Sequence, residues 1–247
     1  MNLEFKKIPV LKNLETGEII CLPYQEVTRQ QNGLMIARGF NELYGLVNEK
    51  GEEIVPPKYG YIKDFQSNRL ARVKDRDSSL YGLIDEKGNE ILAPKYGEIY
   101  QFQSNGLAAV VDKDSQLMGL IDEKGVEILA PKYGYIYKTL SNGLAVVEDK
   151  DSQLMGLIDE RGDEILAPKY GKIYKFQSNG LAAVVDKYSQ LMGLIDERGD
   201  EILAPKYKEI YKFQPNGLAI VKDRDSSLYG LIDKKGVEVI PPNYPNL

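Results

Sequence analysis

Carboxylates are the residues of this sequence most able to do chemistry. Asp85, Asp122, Asp159, Asp196 and Asp233 recur every 37 residues, each directly ahead of a turn of the Glu-Lys-Gly type. A second series pairs Asp75 with Asp77, Asp112 with Asp114, Asp149 with Asp151 and Asp223 with Asp225, in strings such as "DKDSQ" and "DRDSS". Carboxylates at regular spacing could ligate a hard cation, or work in pairs as a glycosidase acid and base. Each reading meets an obstacle. Asp is favoured before a tight turn because its side chain accepts from turn amides, and Asn48 stands in the equivalent place. The D-x-D-S strings lack the glycine, the later ligands and the distal bidentate Glu of a calcium loop. Tyr188 also replaces the second Asp in one copy. Both series are therefore expected to be turn residues, and no metal or cofactor is expected.

The tyrosines are the stronger candidates. Tyr100, Tyr137, Tyr174 and Tyr211 each follow an isoleucine, and Lys138, Lys175 and Lys212 follow three of them. If the isoleucine faces inward, strand alternation turns the tyrosine outward. A row of exposed tyrosines suits contact with a protein or a carbohydrate, because the side chain is rigid, large and amphipathic. The competing reading packs these tyrosines between neighbouring sheets. Tyr59, Tyr96, Tyr133, Tyr170 and Tyr207, in the "PKY" box, are expected in the core or at corners.

The elements that must position these residues are repeats. The glycine of "[YM]-G-L-[IV]" falls at Gly45, Gly82, Gly119, Gly156, Gly193 and Gly230, always 37 residues apart. Each unit reads as four short strands: "NGLAAVVD", then "LMGLID", a turn, "VEILAP", and "GYIYKT" or "GKIYKF". The proline after "IL[AV]" is expected to end the third strand or lie at an edge. No helical periodicity appears. The expected fold is all-β: a six-bladed β-propeller-like ring of four-stranded units, or alternatively an open curved β-solenoid. Residues 32–247 would hold six tandem repeats in one domain. Residues 1–31 would be a worn repeat or cap, with 24–28 able to complete the last blade. "LAAVV" suits the innermost strand and "KIYKF" the outermost.

The totals narrow the function further. The chain has 247 residues, 43% apolar and 28% charged, a globular balance. A formal charge of −5 argues against nucleic acid or an anionic membrane as partner. The single Cys21 permits no internal disulfide, and no apolar run suggests a signal peptide or a membrane span, so a cytoplasmic protein is expected. Histidine is absent. That excludes Ser-His-Asp triads, Cys-His dyads and His-ligated zinc. Near-identical units also offer the same groups several times over, which favours multivalent binding over one asymmetric catalytic constellation. The expectation is a non-enzymatic scaffold for a protein partner, or alternatively a multivalent lectin-like module.

The repeated units resemble the bacterial WG-repeat family. Its consensus is similar to "YGLIDEKGNEILAPKYGEIYQFQSNGLAAV", and the resemblance covers about residues 16 to 244. The chain departs from it at the namesake tryptophan, where Tyr44, Tyr81, Met118, Met155, Met192 and Tyr229 stand. These are still bulky apolar side chains, which marks the position as core packing. The resemblance implies a repeat scaffold presumed to bind other proteins, and it carries over no catalytic residue.

Overall fold

The computed structural model describes residues 9–12, 19–137 and 142–246, and among these every regular element is a β-strand. Six four-stranded antiparallel sheets follow one another along the chain. Sheet one spans 26–59, sheet two 61–96, sheet three 98–133, sheet four 135–170, sheet five 172–207 and sheet six 209–244. A two-stranded pair, Val10–Lys12 with Ile19–Cys21, precedes them. The described chain packs as two compact units, residues 1–131 and 132–247.

Sheet five shows the pattern. Its strands are Lys172–Ile173, Leu181–Val185, Met192–Asp196 and Glu201–Tyr207, each paired with the next. The short strand carrying the "G-x-I-Y" motif thus opens a sheet, whereas the sequence pattern assigns it to the end of the preceding unit. Local chemistry explains the difference. Gly180 N donates to Gln177 O and Gln177 N to Leu181 O, closing a tight turn that folds this strand onto the one that follows. Sheet six accordingly holds four strands of its own. Residues 24–28 do not complete it: Glu26–Arg29 pairs with Met35–Arg38 in sheet one, with Val27 opposite Ala37. "LAAVV" is second in its sheet, paired on both sides, and is not an edge strand.

The last strand runs through its proline, as Glu201–Tyr207 contains Pro205. It lies at the sheet edge, where a missing N–H costs little. The ladder shifts register there, and the strand swings so close that a Cβ on Gly193 would lie 2.4 Å from Leu203 O and 2.8 Å from Pro205 N. Only glycine fits.

Both faces of the middle strands are buried because sheets stack face to face within each unit. Between sheets four and five, Val146, Leu157 and Tyr170 meet Ile173, Val184 and Ile195. Between five and six, Leu181, Leu194 and Tyr207 meet Ile210, Val221 and Ile232. In the other unit, Leu70, Leu83 and Tyr96 meet Ile99, Val110 and Ile121. Two-sided burial is why Ala182 and Ala183 occur where a half-exposed strand would carry larger or polar residues.

A latch closes one end of these three seams. Tyr170 donates its hydroxyl to Glu201 at 2.7 Å, and Lys169 Nζ lies 3.0 Å from the same oxygen. Tyr207 reaches Glu238 at 2.6 Å with Lys206 alongside, and Tyr96 reaches Glu127 at 2.7 Å with Lys95 alongside. The "PKY" tyrosines are indeed core residues: Tyr59, Tyr96, Tyr133, Tyr170 and Tyr207 are all buried.

Candidate functional site

Neither aspartate series converges on a site. Asp122 Oδ1 accepts from Lys124 N at 2.9 Å and Val126 N at 2.8 Å, and Asp85, Asp159, Asp196 and Asp233 repeat this geometry. Asn48 does the same with Lys50 N and Glu52 N. In the second series the first Asp binds a serine one residue past its partner: Asp112 Oδ1 accepts from Ser115 N at 2.8 Å and from its Oγ at 2.7 Å. These bonds hold the Asp112 carboxyl below its usual range, backbone donation being the largest cause. The aspartates are turn residues.

The tyrosines lie elsewhere, at the opening edge of each sheet. Tyr174 N donates to Ala183 O at 2.9 Å, and Tyr100, Tyr137 and Tyr211 make the same bond to Ala109, Val146 and Ile220. Each backbone is thereby fixed to a middle strand, while alternation sends the side chain outward. Tyr100, Tyr137, Tyr174 and Tyr211 are 36–45% exposed, whereas the isoleucine before each is no more than 8% exposed. Lys175 and Lys212 are exposed beside them. Lys138 lies outside the described residues.

Beside the tyrosines run shallow grooves between adjacent sheets. The groove between sheets four and five, about 370 Å³, is lined by Tyr137, Val146, Met155, Ile173 and Tyr174, with Lys172 and Lys175 at its rim. That between sheets five and six, about 430 Å³, is lined by Tyr174, Ala183, Met192, Glu209, Ile210 and Tyr211. In the other unit a smaller groove of about 210 Å³ separates sheets one and two, with Thr28 in the tyrosine's place and Tyr44 in that of methionine. Methionine at the tryptophan position therefore has two roles. It packs on the core from one side and floors the groove from the other.

The rim is polar and differs from groove to groove. Tyr137 donates to Glu148 at 2.7 Å, and Tyr211 donates to Glu209 at 2.5 Å. These hydrogen bonds, more than burial, push both hydroxyls up to about 12, so each remains a neutral donor. Lys172 Nζ sits 4.5 Å from the centre of the Tyr174 ring, and Tyr135 meets Tyr137 edge-on at 4.7 Å. Sequence patterns alone do not reveal the groove floor or Glu209 and Lys172. The available signal was variation: the residue before the isoleucine is Glu98, Tyr135, Lys172 or Glu209 in otherwise near-identical units.

Comparison with solved structures finds distant likenesses. Hsv2p of Kluyveromyces lactis shares 12% identity, covering 84% of this chain and 73% of that one at a TM-score of 0.34. Virginiamycin B lyase of Staphylococcus aureus shares 17%, covering 96% and 88% at 0.31. At scores this low the likeness implies neither closure nor activity. No curated protein matches the sequence. The profile of the WG containing repeat matches at residues 44–77, 81–114, 118–151, 155–187, 192–225 and 229–247, each match beginning at or beside the repeat glycine of an inner strand. Six matches over most of the chain place it plainly: this protein is a member of the WG containing repeat family.

Proposed function

We propose that the chain is a non-enzymatic repeat scaffold that docks a protein partner along the tyrosine-bearing edges of its sheets. The observation that carries this is the pair of consecutive grooves in residues 132–247. They share Tyr174 as a common wall and present Tyr137 and Tyr211 on either side. Their apolar floors and hydrogen-bonding rims match the make-up of interface anchors, where tyrosine contributes area at low entropic cost. Lys175 and Lys212 add a rim that sets orientation and association rate more than affinity.

Site-specific crosslinking tests the reading. A photoreactive phenylalanine analogue in place of Tyr174 should capture one protein at one-to-one stoichiometry, and Tyr211→Ala should abolish capture. A glycan array that lights up, with equal occupancy at both grooves and no protein captured, would replace this reading with the lectin-like one.

A further inference from the structure

We infer that the groove between sheets five and six receives an arginine side chain of the protein partner, an inference that rests on the protein-docking reading above. The chain shows the chemistry on itself. Between sheets two and three, the position equivalent to Ala183 is Arg72, on strand Leu70–Lys74. Its guanidinium crosses the seam, and Nη1 donates to the Ile99 carbonyl on the edge strand Glu98–Ile99. The same nitrogen lies 3.7 Å from Glu98 Oε1, and the side chain is only 11% exposed. An edge strand of this type therefore offers a planar cation two acceptors at once: an outward carbonyl and a carboxylate. A guanidinium can use both together, whereas an ammonium acts as a point charge.

Between sheets five and six the acceptors recur and the occupant does not. Ile210 stands for Ile99 and Glu209 for Glu98, in strand Glu209–Ile210. Ala183 stands where Arg72 would be, and the vacated space is the groove of about 430 Å³. Tyr174 and Tyr211 supply aromatic surface on which a guanidinium can stack. Three cations face the site. Lys175 and Lys212 are at its rim, and Lys222 Nζ lies 3.8 Å from Glu209 Oε1, within sheet six. None of them crosses the seam as Arg72 does. The groove between sheets four and five is an internal control: Lys172 replaces Glu209 there, so its edge strand puts a cation instead of a carboxylate beside the Ile173 carbonyl and should reject the same cation.

The test titrates N-acetyl-arginine amide into the full chain carrying methyl-labelled methionine. A saturable shift of the Met192 methyl is expected, with the Met155 methyl unmoved. The neutral citrulline analogue should give no saturable shift. Glu209→Gln should weaken the response about tenfold, the loss of one charge-assisted hydrogen bond. Ala183→Arg should abolish it by filling the groove as Arg72 fills its own. Should that variant fail to fold, Glu209→Gln carries the test. Equal shifts with arginine and citrulline, or no shift at Met192, would overturn the inference. In that event Tyr174 crosslinking that still reports a partner leaves the docking reading standing, whereas loss of both removes the two together.

Discussion

The two ends of a single inter-sheet seam obey different rules. At one end the Tyr–Glu–Lys latch is written the same way at three seams: Tyr96 with Glu127 and Lys95, Tyr170 with Glu201 and Lys169, Tyr207 with Glu238 and Lys206. At the other end the groove differs within the same unit and across units: walled by Thr28 and Tyr44 in one place, plugged by Arg72 in another, and open above Ala183 in a third. Where every copy agrees, the residues hold sheets together. Where the copies differ, nothing in the packing forces the choice, and that freedom is where a partner can be specified.

The most damaging way to probe the constant part is at its tightest contact. Gly193→Ala would press a Cβ against Leu203 O at 2.4 Å, atoms of a backbone that cannot give way. We expect a loss of about 3 kcal/mol or more, of the order seen for overpacked sites, measured by denaturant unfolding. A smaller loss is expected at the latch. Tyr170→Phe leaves the Glu201 carboxylate with Lys169 alone and should cost about 1–2 kcal/mol.

The latch also carries a pH signature. Burial first, then the Glu201 hydrogen bond, push Tyr170 from 10.0 up to about 12. Its folded pKa is raised, so its contribution is complete below about 10 and lost as pH climbs towards 12. Glu201 moves the opposite way, held below 4.5 chiefly by the Tyr170 and Lys169 hydrogen bonds. Its contribution is present above 4.5 and fades as pH falls. Stability measured from pH 3 to 12 should therefore drop at both ends, and in Tyr170→Phe the alkaline drop should be shallower.

The smallest stability effect belongs to the variable part. Tyr174→Ala with Tyr211→Ala should alter unfolding free energy by no more than about 0.5 kcal/mol per site, as exposed positions do, while removing partner capture. A large stability loss would mean that these tyrosines belong with the latch.

Much of this was legible in the sequence. The invariant spacing sets the number of sheets, and turn chemistry alone assigns Asp122 and its equivalents. The outward turn of Tyr174 followed from the isoleucine before it. The sheet boundaries did not follow, because a two-residue strand such as Lys172–Ile173 carries too little pattern to show which neighbour it joins. The Glu201 latch is not legible for another reason. A glutamate opening a strand reads as solvent-facing until a tyrosine 31 residues earlier is known to reach it. The groove floor was hidden likewise, since Ala183 and Met192 read as core and are core on one side only.

Hydrogen exchange on the crosslinked partner complex tests the central claim most directly. The account predicts new protection at the sheet edges, residues 172–175 and 209–212, with the aspartate turn at 196–199 unchanged. Protection concentrated at the aspartate turns, with the tyrosine edges exchanging as in the free chain, would contradict it.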